Sequence, residues 1–301
     1  MQLKYKRLSI DLLEIELSVY KYIDSFKSDE FAVSLLDKVV AIEHISEELH
    51  PQGIYITESK DRGNSRLVNY SNVYDVKVGK TLIGWLYFGS ANPCRQSIYL
   101  RYSNEYLYTS EHYFTFEGYM NFEHIRNIDI ALDSNIDYTK ELQRILTDPS
   151  ASLVILNKRY EWSKHLELPI YFDSVGRYGK TQPRASTFYI KKIHNGDKLL
   201  LRSYNKLTEI EKSGKQYQLN DFPKGIKRLY RLEVSLNLTS LNKSLSSLKL
   251  SEKALFEAIL NNDIDTMFAV YMHNLSRIVR VSKGRNSYNF LQYILKSDSV
   301  L

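Results

Sequence analysis

Leu199-Leu200-Leu201-Arg202-Ser203-Tyr204-Asn205-Lys206-Leu207-Thr208-Glu209 is an apolar run that ends in a tyrosine, with a lysine two places on and a glutamate five places on. It reads as a strand. Side chains two apart share a strand face, so Tyr204 and Lys206 are expected to point into one space, with Glu209 where the strand frays. A second strand-like run follows at Arg228-Leu229-Tyr230-Arg231-Leu232-Glu233-Val234-Ser235-Leu236-Asn237, with Glu233 set among apolar and β-branched neighbours. A carboxylate in such a strand needs a partner, because buried charges are usually paired ones.

The pattern occurs twice. Leu86 to Ser90, Ser97 to Asn104 and Asn127 to Asp133 match Phe188 to Lys192, Lys198 to Lys206 and Arg231 to Ser235. Tyr87 to Tyr102 and Tyr189 to Tyr204 are both fifteen residues; Tyr102 to Asp129 is twenty-seven and Tyr204 to Glu233 twenty-nine. This is an internal duplication of a hairpin followed by a carboxylate-bearing strand. Only the second copy has the lysine and glutamate after its tyrosine, which assigns any chemistry to Tyr204.

Working outward, residues 9–17 alternate as a first strand, and residues 30–42 carry Phe31, Leu35, Leu36, Val39, Val40 and Ile42 at helical spacing. The same order recurs at 127–133 and 138–146, where Asp148-Pro149 ends the helix. The expected fold is α+β: duplicated βα-plus-hairpin units forming a largely antiparallel sheet with packing helices. Their bounds are about 10–133 and 126–238, within a domain of residues 1–240. The serine-rich run 239–247 reads as a boundary before a small helical region, 241–301, with helices at 253–260 and 264–281 and a short one at 289–295.

The chain has 301 residues, 43% hydrophobic and 25% charged, so it can bury a substantial core. Its 24 tyrosines suit half-buried sheet faces and also stack on bases. A net charge of +6 favours a polyanionic partner. Cys94 is the single cysteine, which excludes an intramolecular disulfide and a multi-cysteine zinc site. No apolar signal core follows Met1 and no run reaches the ~18 residues of a membrane-spanning helix, so the cytoplasm is the expected compartment. A phosphate loop, an H-E-x-x-H pair and a His-hydrophobic-His pair are all absent, and the seven histidines, among them His124, His165 and His194, are scattered.

Charge is most lopsided from Ser174 to Lys206, where Arg177, Lys180, Arg184, Lys191, Lys192, Lys198, Arg202 and Lys206 face a single acid, Asp197. Gly176-Arg177-Tyr178-Gly179-Lys180 is a basic loop holding an aromatic, the composition of a channel that tracks phosphates and stacks unpaired bases. A second basic group, Arg277, Arg280, Lys283 and Arg285, closes the long C-terminal helix, where cations are also stabilising in their own right.

Tyr204 to Glu209 resembles the Y-x-K-x-x-E motif of the Rep_trans family, rolling-circle replication initiators of small Gram-positive plasmids, and of related phage initiation proteins and conjugative-element relaxases. Asn127 to Asp133 is similar to that family's R-x-D-[IL]-A-x-D strand, Arg231 to Val234 to its R-x-E-[VL] strand, and Tyr87-Phe88-Gly89-Ser90 to its Y-x-G-S turn. The second such turn is replaced by Tyr189-Ile190-Lys191-Lys192, and Asn127 stands where an arginine is common. The resemblance implies an HUH-nuclease-like fold and a DNA nickase. Tyr204 would attack a phosphodiester and leave the enzyme on the 5′ phosphate, freeing a 3′ hydroxyl to prime synthesis.

A phenol with pKa about 10 needs help at neutral pH. Mg²⁺ or Mn²⁺ would supply it, with Asp129 and Glu233 as the natural ligands and Asp133 a third. Lys206 would neutralise the phosphate or protonate the leaving oxygen; Glu209 would be a ligand, a base or a partner for Lys206. By analogy with the family, Arg277, Arg280, Lys283 and Arg285 would read the origin. The expected partners are origin DNA, single-stranded or cruciform, with a host helicase, a polymerase and a second copy of the chain. Relaxase chemistry at a transfer origin, or a non-catalytic regulator in which Tyr204 stacks on a base, are the alternatives. Source, plasmid or phage, is open.

Overall fold

The structure, a computed structural model, describes residues 6–19, 35–60, 69–90, 97–110, 113–160, 170–173, 187–194 and 197–297. The chain divides into two compact units, one of Leu12–Ile128 and one of Met1–Asp11 with Asp129–Leu301. Two long strands, β1 (Lys6–Ser18) and β6 (Asn121–Ser134), have residues in both.

The 12–128 unit holds helix α1 (Leu35–Leu49), strands β2 (Ile54–Glu58), β3 (Tyr70–Val78), β4 (Thr81–Ser90) and β5 (Ile98–Tyr102), and the short helix α2 (Asn104–Thr109). Its strand order is β2-β3-β4-β5-β1-β6. Hydrophobic burial fixes the register: Leu86, Phe88 and Leu100 are sealed from solvent on one face, and Val73 packs with Tyr70, Tyr87 and Tyr99 on the other. The β4–β5 pair is close enough to require Gly84, where a Cβ would lie 2.9 Å from Tyr102 Cα and overlap the carbonyl oxygen of Arg101. Gly89, at the end of β4 where a turn was expected, has a φ of 75°, the left-handed region open mainly to glycine.

The other unit follows β6 with helix α3 (Tyr138–Leu146), strands β7 (Ala151–Ile155), β8 (Lys158–Tyr160), β9 (Ile170–Asp173), β10 (Thr187–His194) and β11 (Asp197–Asn205), and helix α4 (Lys206–Ser213). Strand β12 (Tyr230–Asn237) comes next, then helices α5 (Leu238–Leu248), α6 (Glu252–Leu260) and α7 (Ile264–Ile278), the pair β13 (Val279–Lys283) and β14 (Asn286–Asn289), and helix α8 (Phe290–Ser297). Its main sheet runs β6-β12-β11-β10-β9, and a second, small sheet runs β14-β13-β7-β8. The β9–β10, β10–β11 and β11–β12 registers are antiparallel. Leu199, Leu201, Leu232, Val234 and Leu236 form the buried face of the central strands, with Tyr271 of α7 donating its hydroxyl to the Leu232 carbonyl at 3.1 Å.

Three local expectations change. The serine-rich run 239–247 is α5, not a boundary: Leu241 and Leu245 make its buried stripe, and the buried Ser240 and Ser244 hydroxyls are bonded, the second to the Ser240 carbonyl at 3.0 Å. The helix expected over 264–281 stops at Ile278, and Val279 and Val281 alternate inward as a strand against β7. Residues 241–301 are therefore not purely helical. Lys206 is the first residue of a helix and not the continuation of β11. No helix among the described residues is long and apolar enough to cross a membrane.

Candidate active site

In the β11–β12 register Arg202 stands opposite Glu233 and Tyr204 opposite Arg231. With period two, these four side chains lie on the face turned away from the apolar one, together with Asp129 and Asp133 of β6. Arg202 Nη2 pairs with Glu233 Oε1 and lies 3.8 Å from Asp129 Oδ2. The Tyr204 hydroxyl donates to Glu233 Oε2 at 3.4 Å, and Ser235 Oγ reaches the other Glu233 oxygen at 3.5 Å. The phenol ring lies between two cations, 5.6 Å from the Arg202 guanidinium and 5.8 Å from Lys206 Nζ.

Lys206 reaches the tyrosine by a different route from strand alternation. Asn205 caps α4, its side-chain oxygen accepting from the Thr208 amide at 3.2 Å, and the helical turn folds Lys206 inward until only 1% of it is exposed. Its ammonium is 2.5 Å from Glu209 Oε2, three residues on.

Burial dominates the protonation chemistry. It raises Glu233 to about 8, with Asp129 and Asp11 adding to the rise and Arg202 and Arg231 opposing it. Burial also raises Asp129, opposed by Ser235 and Arg202. The Tyr204 phenol is pushed well above its ordinary value, chiefly by desolvation. Lys206 is lowered by burial and by the nearby Arg231, against the pull of Asp11 and Glu209.

Asp133, expected as a third metal ligand, is committed elsewhere. Its two oxygens take Nε and Nη2 of Arg231 at 2.7 and 2.6 Å, while Arg231 Nη1 reaches Asp11 Oδ1 at 2.5 Å. Among the described residues no group of three His, Cys, Asp or Glu side chains is placed to hold a metal ion. Asp11 and Arg231 are thus structural members of the site that sequence reading left without a role. The signal was available in the unpaired-looking Asp11 of the first strand.

Several basic residues expected on DNA are occupied. Arg202 is bound to the carboxylates, and Arg277 ties α7 to α5 through the Ser240 carbonyl at 3.2 Å and Ser244 Oγ at 2.5 Å. Arg280 Nη2 donates to Asn157 at 3.3 Å and Lys283 Nζ lies 3.7 Å from Asp148. Arg285 and Lys191 are exposed. Arg177, Tyr178, Lys180, Arg184 and the side chain of Lys192 lie outside the described residues.

The 12–128 unit carries a related arrangement. Glu14 of β1 stands opposite Arg101, as Glu233 stands opposite Arg202, and accepts from Asn127 Nδ2 at 2.9 Å. Glu14 thus faces an arginine across its strand pair as Glu233 does.

These observations define an α+β protein whose larger unit presents a strand-end tyrosine backed by one buried and one partly buried carboxylate, with two cations near its ring. No family model and no curated protein matches the sequence. Among solved structures the chain is similar to the rolling circle replication initiator protein from Geobacillus stearothermophilus, with a TM-score of 0.50 and 14% identity over 99% of this chain and 98% of that one. The likeness establishes the fold.

Proposed function

We propose that the protein initiates rolling-circle replication by nicking and rejoining DNA through Tyr204. The observation that carries this reading is the Tyr204 hydroxyl held on Glu233 at 3.4 Å between Arg202 and Lys206, on a fold shared with a rolling circle replication initiator. Tyr204 Oη attacks the phosphorus, the bond from phosphorus to the 3′ oxygen breaks, and the phenolic proton passes to Glu233 in its ionised form, which burial disfavours and Arg202 favours. The freed 3′ oxygen takes a proton from Lys206, whose ammonium burial makes a stronger acid. Arg202 and Lys206 face the charge that develops on the phosphate.

Asp129 and Glu233, with the Ser235 hydroxyl, form an oxygen-only donor set whose ionised form burial disfavours. That set fits Mg²⁺ or Mn²⁺, which takes one or two carboxylates and completes its shell with water and phosphate oxygens. Such an ion would act as a Lewis acid on the phosphate and relieve the carboxylate pair.

Tyr204→Phe is expected to keep DNA affinity and to lose both nicking of supercoiled DNA and the covalent protein–DNA adduct seen on a denaturing gel. An adduct formed by the phenylalanine variant would move the nucleophile elsewhere. Asp129→Asn is expected to abolish divalent-dependent nicking in a protein that remains folded.

A further inference from the structure

Beside the nucleophile strand lies a cavity of about 490 Å³ lined by Asn135 and the loop 223–228. The loop reads Pro223-Lys224-Gly225-Ile226-Lys227-Arg228, three cations in five positions with no acid between Phe222 and Tyr230. Lys224, Lys227 and Arg228 are all exposed. The apolar residues between and around them point the other way: Phe222 and Leu229 are buried with Ile210 of α4, and Ile226, Leu219 and Leu207 pack on that cluster. A charged loop free to move would spread its cations. This one is pinned on both sides, by that cluster and by the backbone amide of Lys206, which donates to the Leu229 carbonyl at 2.8 Å.

The same pin places the cations next to the chemistry. Leu229 accepts from Lys206, and Tyr230 stands opposite Asn205, so the loop leaves the sheet immediately beyond the residue pair that holds Tyr204. Two acids flank the loop. Asp221 is paired with Arg7, and Asp137 accepts from the Lys140 amide at 3.0 Å and bonds to Tyr230. Lys224 and Lys227 are exposed at the cavity, whose volume is enough for the sugar-phosphate of a nucleotide.

We propose that loop 223–228 and Asn135 form the phosphate-backbone rail on which a DNA strand rests beside Tyr204. This rests on the nicking function proposed above and adds the strand's path. Lys224, Lys227 and Arg228 hold successive phosphates and carry no base preference.

The test is the salt dependence of binding of the full chain to a fluorescent single-stranded oligonucleotide, measured alongside the Tyr204 adduct. Lys224→Gln/Lys227→Gln/Arg228→Gln is expected to reduce the slope of log affinity against log salt by about 2, at roughly 0.7 per lost contact. Lys227→Gln alone should remove about one such contact. Lys224→Arg/Lys227→Arg/Arg228→Lys, which keeps the charge, should restore the slope. An unchanged slope in a variant that melts normally, with the adduct intact in the wild type, overturns the rail and leaves the nicking function standing. A wild-type protein that binds no DNA and forms no adduct overturns both. Deoxynucleoside triphosphate or inorganic phosphate that displaces the oligonucleotide at the same concentration of phosphate groups would make the cavity a free-phosphate site, against the proposal.

Discussion

Arg231 has no exposed surface and divides its guanidinium between Asp133 and Asp11, while the adjoining Glu233 and Asp129 share the partly exposed Arg202. Two sets of carboxylates on one sheet face therefore have opposite relations to stability. Removing one member of a buried pair strands the other, so Asp133→Asn is expected to cost about 3–5 kcal/mol in urea unfolding. Glu233 behaves the other way, because burial holds it protonated up to about pH 8 against an ordinary value near 4.5. Between those values the folded state binds a proton that the unfolded chain has released, so its contribution is complete below the lower value and lost as pH rises through the upper. Stability should fall over that interval, and Glu233→Gln should flatten the fall; urea titrations at a series of pH values check both. A variant as pH-sensitive as the wild type would place the titration on another group. Glu233 and Tyr204 were legible in the sequence because a charge and a phenol break apolar alternation. The division of labour between Asp129 and Asp133 was not, because it depends on where Arg231 turns.

Helix α4 shows how a short element converts a sequence motif into a site. Asn205 caps it, Gly214 closes it in the left-handed region at a φ of 71°, and Ile210 anchors it among Phe222 and Leu229. Loss of the cap in Asn205→Ala is expected to lower stability by about 1 kcal/mol and to reduce nicking further, since Lys206 and Glu209 keep their places through that first turn. The urea midpoint and the nicking rate, measured on the same sample, separate the two effects. The motif's spacing was plain in the sequence, yet strand alternation was the wrong physics for it: the capping asparagine ends the strand one residue before the lysine. Helix α3 was found at its full extent, its end marked by Asp148-Pro149, while the capping role of Asp137 came from the structure. Helix α5 was hidden by its serines, whose hydroxyls bond inside the fold and so occupy positions that composition assigns to solvent.

Over the whole chain, the antiparallel sheet and the basic charge were visible before any coordinate, whereas the cations that matter were sorted by their neighbours. Arg202 and Arg277 lie in internal pairs and loop 223–228 faces outward, a distinction that counting charges does not make. Neutralising Arg280 and Lys283 together is expected to leave single-strand affinity within about twofold, since the rail carries that contact and β13 holds both cations near Asn157 and Asp148. A fluorescence binding titration at fixed salt checks it. The ion triad has a further consequence in time. Asp11 and Arg231 are 220 residues apart in the chain, and Asp133 lies between them. At roughly 5–20 residues per second, a ribosome delivers the arginine about 11–44 s after the first aspartate. Through that interval the two acids stay hydrated and unneutralised, so the strands around Tyr204 cannot close on a partial product. A nascent chain cut short before β12 lacks both Arg231 and Glu233, so the ion triad and the carboxylate under Tyr204 form only once that strand is made.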